Sequence, residues 1–197
     1  MLRAPPPGTF CPMDATRAEP SWRTRANALT AVRFASIPFF ASAVLHGQPV
    51  RALGLFALAV ATDLVDGRVA RRYGETSALG GVFDHATDAA FVAAGLAAVA
   101  LLGEVNPWLP LAVVLAFVQY VVDSRAPLRP LRASALGRWN GIAYFVLLGI
   151  PVVRDGLSLG WPPRVVTAVG GWLLLASTVV SMADRVSSRG RHVRERR

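Results

Sequence analysis

Apolar residues occupy most of this chain in six long runs, and each run is separated from the next by a short polar stretch. The runs cover approximately residues 28–46, 50–71, 79–102, 108–124, 137–153 and 163–184. Each is close to the ~20 residues that an α-helix needs to cross the hydrocarbon core of a bilayer. The pattern therefore predicts an all-α polytopic membrane helix bundle with six transmembrane helices.

The arginines around these runs predict their orientation. All 21 basic residues are arginine, and the net charge is +9. Most of them lie before the first run, after the second and fourth runs, or after the sixth, whereas Arg51, Arg154 and Arg164 lie at the opposite ends. Because arginine concentrates on the cytoplasmic side of membrane proteins, the pattern predicts an inner-membrane protein with both termini in the cytoplasm.

The remaining composition predicts the domain limits and the partners. Residues 1–20 are rich in proline and polar residues and are predicted to be a disordered tail, residues 21–185 a single membrane domain, and residues 186–197 a basic cytoplasmic tail. We expect the six C-terminal arginines, from Arg185 onward, to lie at the membrane surface. The membrane topology explains the positive charge, so the expected partner is the lipid bilayer and no nucleic acid. The lone Cys11 excludes an intrachain disulfide.

Two pairs of aspartates lie where the second run ends and the third begins. Asp63 and Asp66 are three residues apart, and Asp84 and Asp88 are four apart. On a helix these spacings put both members of a pair on one face. Two antiparallel helices joined by a turn at residues 71–74 would bring all four carboxylates together. Acids inside a membrane span cost several kcal/mol unless they are paired, hydrated or metal-bound, which predicts a polar cavity open to the cytoplasm.

Four neighbouring carboxylates indicate a divalent metal site. Mg²⁺ and Mn²⁺ prefer oxygen ligands, and two such ions can clamp a pyrophosphate. Gly67 and Gly80 leave space for a bulky ligand or a second helix, and Ala70 is also small. Arg71 offers a forked donor to phosphate oxygens. The residues alone therefore predict a membrane enzyme that uses two divalent ions on a pyrophosphate.

This stretch resembles the signature D-x2-D-G-x2-A-R-x8-G-x3-D-x3-D of the CDP-alcohol phosphatidyltransferases. Its eight fixed positions are filled by Asp63, Asp66, Gly67, Ala70, Arg71, Gly80, Asp84 and Asp88. The resemblance covers the first three runs well and the last three loosely. It implies transfer of a phosphatidyl group from a CDP-linked donor, normally CDP-diacylglycerol, to an acceptor alcohol in phospholipid synthesis, with release of CMP. It also implies a homodimer.

The resemblance assigns roles to the four aspartates. Asp63, Asp66, Asp84 and Asp88 would ligate two Mg²⁺ or Mn²⁺ ions. Asp88 would also act as the general base on the acceptor hydroxyl, since a carboxylate within hydrogen-bond reach can take its proton.

A second polar pattern precedes the first apolar run. Asn27, Thr30 and Arg33 are spaced by three and share a helix face. In one interpretation Asn27 caps the helix, Thr30 bonds to its own helix and Arg33 snorkels toward the membrane surface. In the other, the three residues form a polar edge that contacts nucleotide or phosphate. The stretch resembles the Asn-x-x-Thr-x-x-Arg beginning of the first membrane helix in the family. The residues thereby implied in donor binding are Gly67, Ala70, Arg71, Gly80, Asn27 and Thr30.

The connection between the fourth and fifth runs is the candidate acceptor region. Arg125, Arg138 and Asn140 are the candidate ligands. The stretch resembles a Gly-Lys-x-x-Thr segment of several family members, with Arg138 in the lysine position and Gly141 in the threonine position. Orientation of the protein and attraction to anionic lipid would also explain Arg125.

The residue that follows Asp88 bears on the identity of the acceptor. Asp88 is followed by Ala89, whereas lysine is common there in phosphatidylglycerophosphate synthases and arginine in inositol-phosphate relatives. Glycerol 3-phosphate is the leading prediction. Two other classes stay open: an intramembrane prenyltransferase that uses a prenyl diphosphate, whose acid motifs lie farther apart, and a non-enzymatic metal-binding or transport protein, whose acids would lie on both membrane faces.

Overall fold

A computed structural model describes residues 25–73, 78–124 and 135–194, with side chains over 28–65, 80–123 and 136–187. These ranges contain six α-helices and no strand. The helices are α1 (Arg25–Leu45), α2 (Pro49–Tyr73), α3 (Ala78–Leu101), α4 (Trp108–Ser124), α5 (Ala135–Gly156) and α6 (Arg164–Arg194). Each predicted apolar run corresponds to one helix, so the all-α prediction is confirmed.

The composition of the helices is that of a multi-pass membrane protein. Four stretches within the described residues are long and apolar enough to cross a bilayer: Ala28–Leu45, Gly80–Leu101, Leu136–Gly156 and Arg164–Ser187. A shorter apolar helix covers Trp108–Asp123. Large apolar side chains such as Phe39 and Leu173 are mostly exposed on the bundle surface, as expected where lipid replaces water. Six spans with both termini in the cytoplasm stay a prediction.

Two boundaries differ from the sequence reading. A turn was predicted at residues 71–74, but α2 continues through Tyr73; residues 74–77 lie outside the described ranges. At the other end of the chain, α6 continues to Arg194, through most of the segment predicted as a basic tail. Residues 1–20 also lie outside the described ranges, so their predicted disorder stays a prediction.

An aromatic layer forms the centre of the bundle. The rings of Phe40 on α1 and Phe91 on α3 are fully buried and stack with centroids 4.6 Å apart. Phe145 on α5 stacks on Phe91 at 6.4 Å. The helices pack so that α1 contacts both α2 and α3, α5 contacts α2, α3 and α6, and α4 contacts α3 and α6. The layer therefore connects α1, α3 and α5 at the centre of the bundle.

A buried ion pair closes the bundle at the far end of α3. Nη2 of Arg154 donates to both carboxylate oxygens of Glu104, at 2.8 and 2.9 Å, and both residues are almost completely buried. Nε of Arg164, at the start of α6, lies 3.2 Å from the same carboxylate. The sequence reading used Arg154 and Arg164 only as orientation signals. In the structure they also join the α3–α4 connection to α5 and α6.

Gly95 of α3 lies where α1 and α5 come close, and it yields a stability prediction. A Cβ atom at this position would lie 2.6 Å from Cε1 of Phe40 and 2.7 Å from Cδ2 of Leu148. Both neighbours are fully buried and have little room to move. We therefore expect Gly95→Leu to destabilise the bundle by about 2 kcal/mol or more through overpacking.

The measurement is thermal unfolding of the detergent-purified protein, and Gly54→Leu is the matched control. A Cβ at Gly54, in the middle of α2, meets nothing within 4 Å. The control should keep the wild-type melting temperature. Equal melting temperatures for the two variants would contradict the close packing at Gly95.

Candidate active site

Three carboxylates from two helices converge on one arginine of a third. Nη1 of Arg33, on α1, lies 3.4 Å from Oδ1 of Asp63 on α2 and 3.2 Å from Oδ1 of Asp84 on α3. The same nitrogen donates to Oδ1 of Asp88, one helical turn after Asp84. Arg33 is completely buried. The predicted convergence of acids from α2 and α3 is therefore present among the described side chains.

Local hydrogen bonds hold this arginine in position. Nε of Arg33 donates to the hydroxyl of Thr62 at 3.4 Å, and that hydroxyl lies 2.9 Å from the carbonyl oxygens of Leu58 and Ala59. The hydroxyl of Ser36 donates to the Arg33 carbonyl at 2.7 Å. Threonine and serine can bond their own helix in this way without needing water. The guanidinium is thus fixed between α1, α2 and α3.

The donor set of this cluster fits a hard divalent cation. Three carboxylate oxygens surround one point, and ligand atoms of Asp84, His85 and Asp88 all lie within 4.8 Å of one another. Oxygen-rich sites of this kind suit Mg²⁺ or Mn²⁺. The side chains of Asp63, Asp84 and Asp88 are 45%, 27% and 23% exposed, so the cluster is accessible from outside the bundle.

A cavity of about 500 Å³ opens beside the carboxylate cluster, between α3, α4, α5 and α6. Its inner wall is apolar and includes Val92, Val113 and Phe145. The charged and amide side chains that line it are Asp63, His85, Asp88, Gln119, Arg138, Asn140 and Arg185. Asp88 thus belongs both to the carboxylate cluster and to the cavity wall.

Hydrogen bonds between helices keep the cavity wall in place. The hydroxyls of Tyr144 on α5 and Thr178 on α6 lie 2.6 Å apart. Ser177 donates to Oδ1 of Asn140 at 2.7 Å. Nε2 of Gln119 donates to the carbonyl of Met182 at 3.1 Å, while its Oε1 atom is buried without a hydrogen-bond partner within the described structure. Buried polar atoms are normally hydrogen-bonded, so this oxygen is an exception in the cavity wall.

The residues predicted from sequence fall into two groups. Those with described surroundings are Thr30, which is buried, Gly80 near the start of α3, and Arg138 and Asn140 in the cavity wall. Asn27 on α1 and four residues of α2 (Asp66, Gly67, Ala70 and Arg71) are helical, but their side-chain surroundings lie outside the described residues, as does all of Arg125. The roles assigned to both groups stay predictions.

Arg185 corrects one reading of the sequence. We predicted a membrane-surface arginine there, but the residue lines the cavity, because α6 is helical through this region and turns Arg185 inward. Thr178 and Ser181, both buried, lie seven and four residues earlier on the same helix face. That polar stripe in an otherwise apolar helix was the signal that could have found it.

Arg33 also differs from its sequence reading. The pattern Asn27, Thr30, Arg33 predicted either a snorkelling arginine or an edge toward nucleotide or phosphate. The structure instead pairs Arg33 with acids that lie 30 or more positions later in the chain. A long-range ion pair of this kind leaves no mark in the spacing of neighbouring residues.

Comparison with known proteins identifies the family that this arrangement belongs to. The family model described as CDP-alcohol phosphatidyltransferase matches residues 23–183. A probable phosphatidylglycerophosphate synthase of Mycobacterium tuberculosis is 26% identical over 168 residues, which cover 82% of this chain and 79% of the relative. A CDP-diacylglycerol–glycerol-3-phosphate 3-phosphatidyltransferase of Cereibacter sphaeroides is 32% identical over 142 residues, which cover 67% of this chain and 64% of the relative.

Solved structures share the fold. The phosphatidylinositol phosphate synthase of Mycobacterium tuberculosis superposes with a TM-score of 0.56 in its apo form, at 20% identity, over 82% of this chain and 87% of that one. Its structure with CDP-DAG bound gives 0.56 at 19% identity, over 82% and 84%. The family predicted from the stretch Asp63–Asp88 is confirmed, and the prenyltransferase and transporter alternatives are set aside.

Proposed function

Because this chain belongs to the CDP-alcohol phosphatidyltransferase family, we propose that it transfers the phosphatidyl group of CDP-diacylglycerol to glycerol 3-phosphate and releases CMP. The observation that carries the proposal is the double position of Asp88, in the carboxylate cluster and in the wall of the adjoining cavity. The names of two relatives, a phosphatidylglycerophosphate synthase and a CDP-diacylglycerol–glycerol-3-phosphate 3-phosphatidyltransferase, support this donor and acceptor.

Asp88 is the proposed general base. An acceptor hydroxyl in the cavity would meet its carboxylate, which takes the proton as the oxygen attacks the phosphorus that bears the diacylglycerol. The bond from that phosphorus to the bridging oxygen then breaks, and CMP leaves with the oxygen.

Asp63, Asp66, Asp84 and Asp88 are the proposed ligands of two Mg²⁺ or Mn²⁺ ions. When bound, such ions would neutralise charge on the diphosphate and make CMP a better leaving group. The family resemblance assigns the donor nucleotide and its phosphates to the neighbouring α1–α3 surface. The residues of that surface are Asn27, Thr30, Gly67, Ala70, Arg71 and Gly80.

The cavity is the proposed acceptor pocket. Arg138 and Arg185 supply two guanidinium groups to its wall, and a phosphorylated alcohol carries the matching negative charge. We therefore favour glycerol 3-phosphate over an uncharged alcohol.

The arginine distribution supports an active site that faces the cytoplasm from the inner membrane, and the homodimer stays a prediction.

The base role predicts the behaviour of Asp88→Asn. The amide cannot take a proton, so we expect CMP release to fall about 10²-fold or more, while binding of CDP-diacylglycerol largely survives. CMP release and lipid mass should be measured together on detergent-purified protein. Asp155→Asn, the same change at a half-exposed carboxylate that pairs with Arg154 and does not line the cavity, is the control and should retain activity. Normal turnover of Asp88→Asn would remove it from the base role.

The metal site predicts complete dependence on divalent cations. Excess chelator should abolish CMP release, because the diphosphate charge would then be unscreened. Adding back Mg²⁺ or Mn²⁺ should restore turnover, and Ca²⁺, with its larger radius and looser geometry, should restore it poorly. Undiminished activity in excess chelator would rule out metal-assisted transfer.

The pocket predicts the acceptor and a residue that selects it. Among glycerol 3-phosphate, inositol 1-phosphate, glycerol, inositol and serine, we expect a new lipid with glycerol 3-phosphate. Arg138→Gln should raise the KM for this acceptor about tenfold or more, since a charge-assisted hydrogen bond is lost, and leave the KM for CDP-diacylglycerol nearly unchanged. Arg51→Gln, at the start of α2, is the charge-matched control. Preferential use of an uncharged alcohol would contradict the phosphate pocket.

A further inference from the structure

We propose that Arg33 is the resident counter-cation of the carboxylate cluster. Its guanidinium holds Asp63, Asp84 and Asp88 together before a divalent ion binds, and the ion must displace Nη1 from among these oxygens. The proposal rests on the metal site of the proposed function and goes beyond it, because it assigns a competitor for that site within the chain itself.

The geometry of one nitrogen atom is the first support. The single nitrogen Nη1 contacts one carboxylate oxygen of each of the three aspartates. A terminal guanidinium nitrogen carries two hydrogens, so it cannot form full hydrogen bonds to three carboxylates at once. Its contacts at 3.2 and 3.4 Å are accordingly long. The nitrogen therefore acts as a shared positive charge, at a point that a cation held by the same oxygens would need.

Burial and charge are the second support. Arg33 is completely buried. A buried cation is costly unless it is paired with negative charge. Arginine stays protonated in proteins, so it cannot relieve this cost by losing its charge. The three carboxylates would in turn repel one another without it. One guanidinium among three carboxylates still leaves a net negative charge, which can attract a divalent ion.

The anchoring of Arg33 is the third support. Nε donates to the hydroxyl of Thr62 on α2, at 3.4 Å, which gives the side chain a second attachment beside the carboxylates. Because the guanidinium is planar and rigid, Nη1 leaves the carboxylates by rotation about the aliphatic bonds of the side chain. The backbone of α1 does not have to move.

The test compares Mn²⁺ binding and unfolding of four detergent-purified proteins: wild type, Arg33→Gln, Arg33→Lys and Arg51→Gln. Mn²⁺ affinity is read from the spin-resonance signal of the free ion, and stability from thermal unfolding with and without Mn²⁺. We expect Arg33→Gln to bind Mn²⁺ about tenfold or more tightly than wild type, because the competing charge is gone. Its melting temperature without metal should fall, and Mn²⁺ should raise it by roughly 5 °C more than in wild type.

The two remaining variants separate charge from packing. Arg33→Lys keeps the positive charge and should behave like wild type in both measurements. Arg51→Gln removes the same charge at the far end of α2 and should also match wild type. If Arg33→Lys instead behaves like Arg33→Gln, the shape of the side chain and not its charge is responsible, and the proposal is wrong.

Other results would overturn the proposal directly. These are an unchanged or weaker Mn²⁺ affinity of Arg33→Gln, an equal loss of stability with and without Mn²⁺, and failure to fold even when Mn²⁺ is present throughout purification. A raised KM for CDP-diacylglycerol with unchanged Mn²⁺ affinity would make Arg33 a phosphate ligand instead. If wild type itself binds no Mn²⁺, the metal part of the proposed function fails as well; if wild type binds normally, only the role of Arg33 fails.

Discussion

Like charges gathered within a membrane bundle are the constraint on which the rest of this structure depends. Asp63, Asp84 and Asp88 lie around one point. Their repulsion must be balanced by positive charge or water. The guanidinium of Arg33 supplies positive charge from α1, the helix that packs against both α2 and α3. The contacts of Arg33 therefore join these three helices at the site.

At the opposite end of the bundle, the buried carboxylate of Glu104 is also balanced by arginine. The Glu104 carboxylate accepts from Arg154 at 2.8 and 2.9 Å and lies 3.2 Å from Nε of Arg164, while Arg154 also contacts Asp155. Two arginines balance two carboxylates here, so the network has no excess negative charge to attract a cation and serves to fix the helix ends. Between the two ends lies the aromatic layer of Phe40, Phe91 and Phe145. The aromatic layer therefore separates the charge-balanced end of the bundle from the carboxylate cluster.

The parts that sequence predicts well are those with local periodicity. Apolar runs near ~20 residues predict one helix each, and spacings of three and four predict paired acids on one face. The residues that escaped prediction act over long separations. Arg33 pairs with Asp84 and Asp88 across more than fifty positions, and spacing along the chain holds no record of such a contact. Arg185 was misread because basic residues after a membrane span usually mark topology, whereas here the helix continues and turns the side chain inward.

Asp88 is where the two halves of the bundle meet chemically. Its carboxylate touches Arg33 of α1 on one side and lines the α3–α6 cavity on the other. A transfer reaction between two substrates needs such a junction, because the donor phosphorus and the acceptor oxygen must approach from different directions.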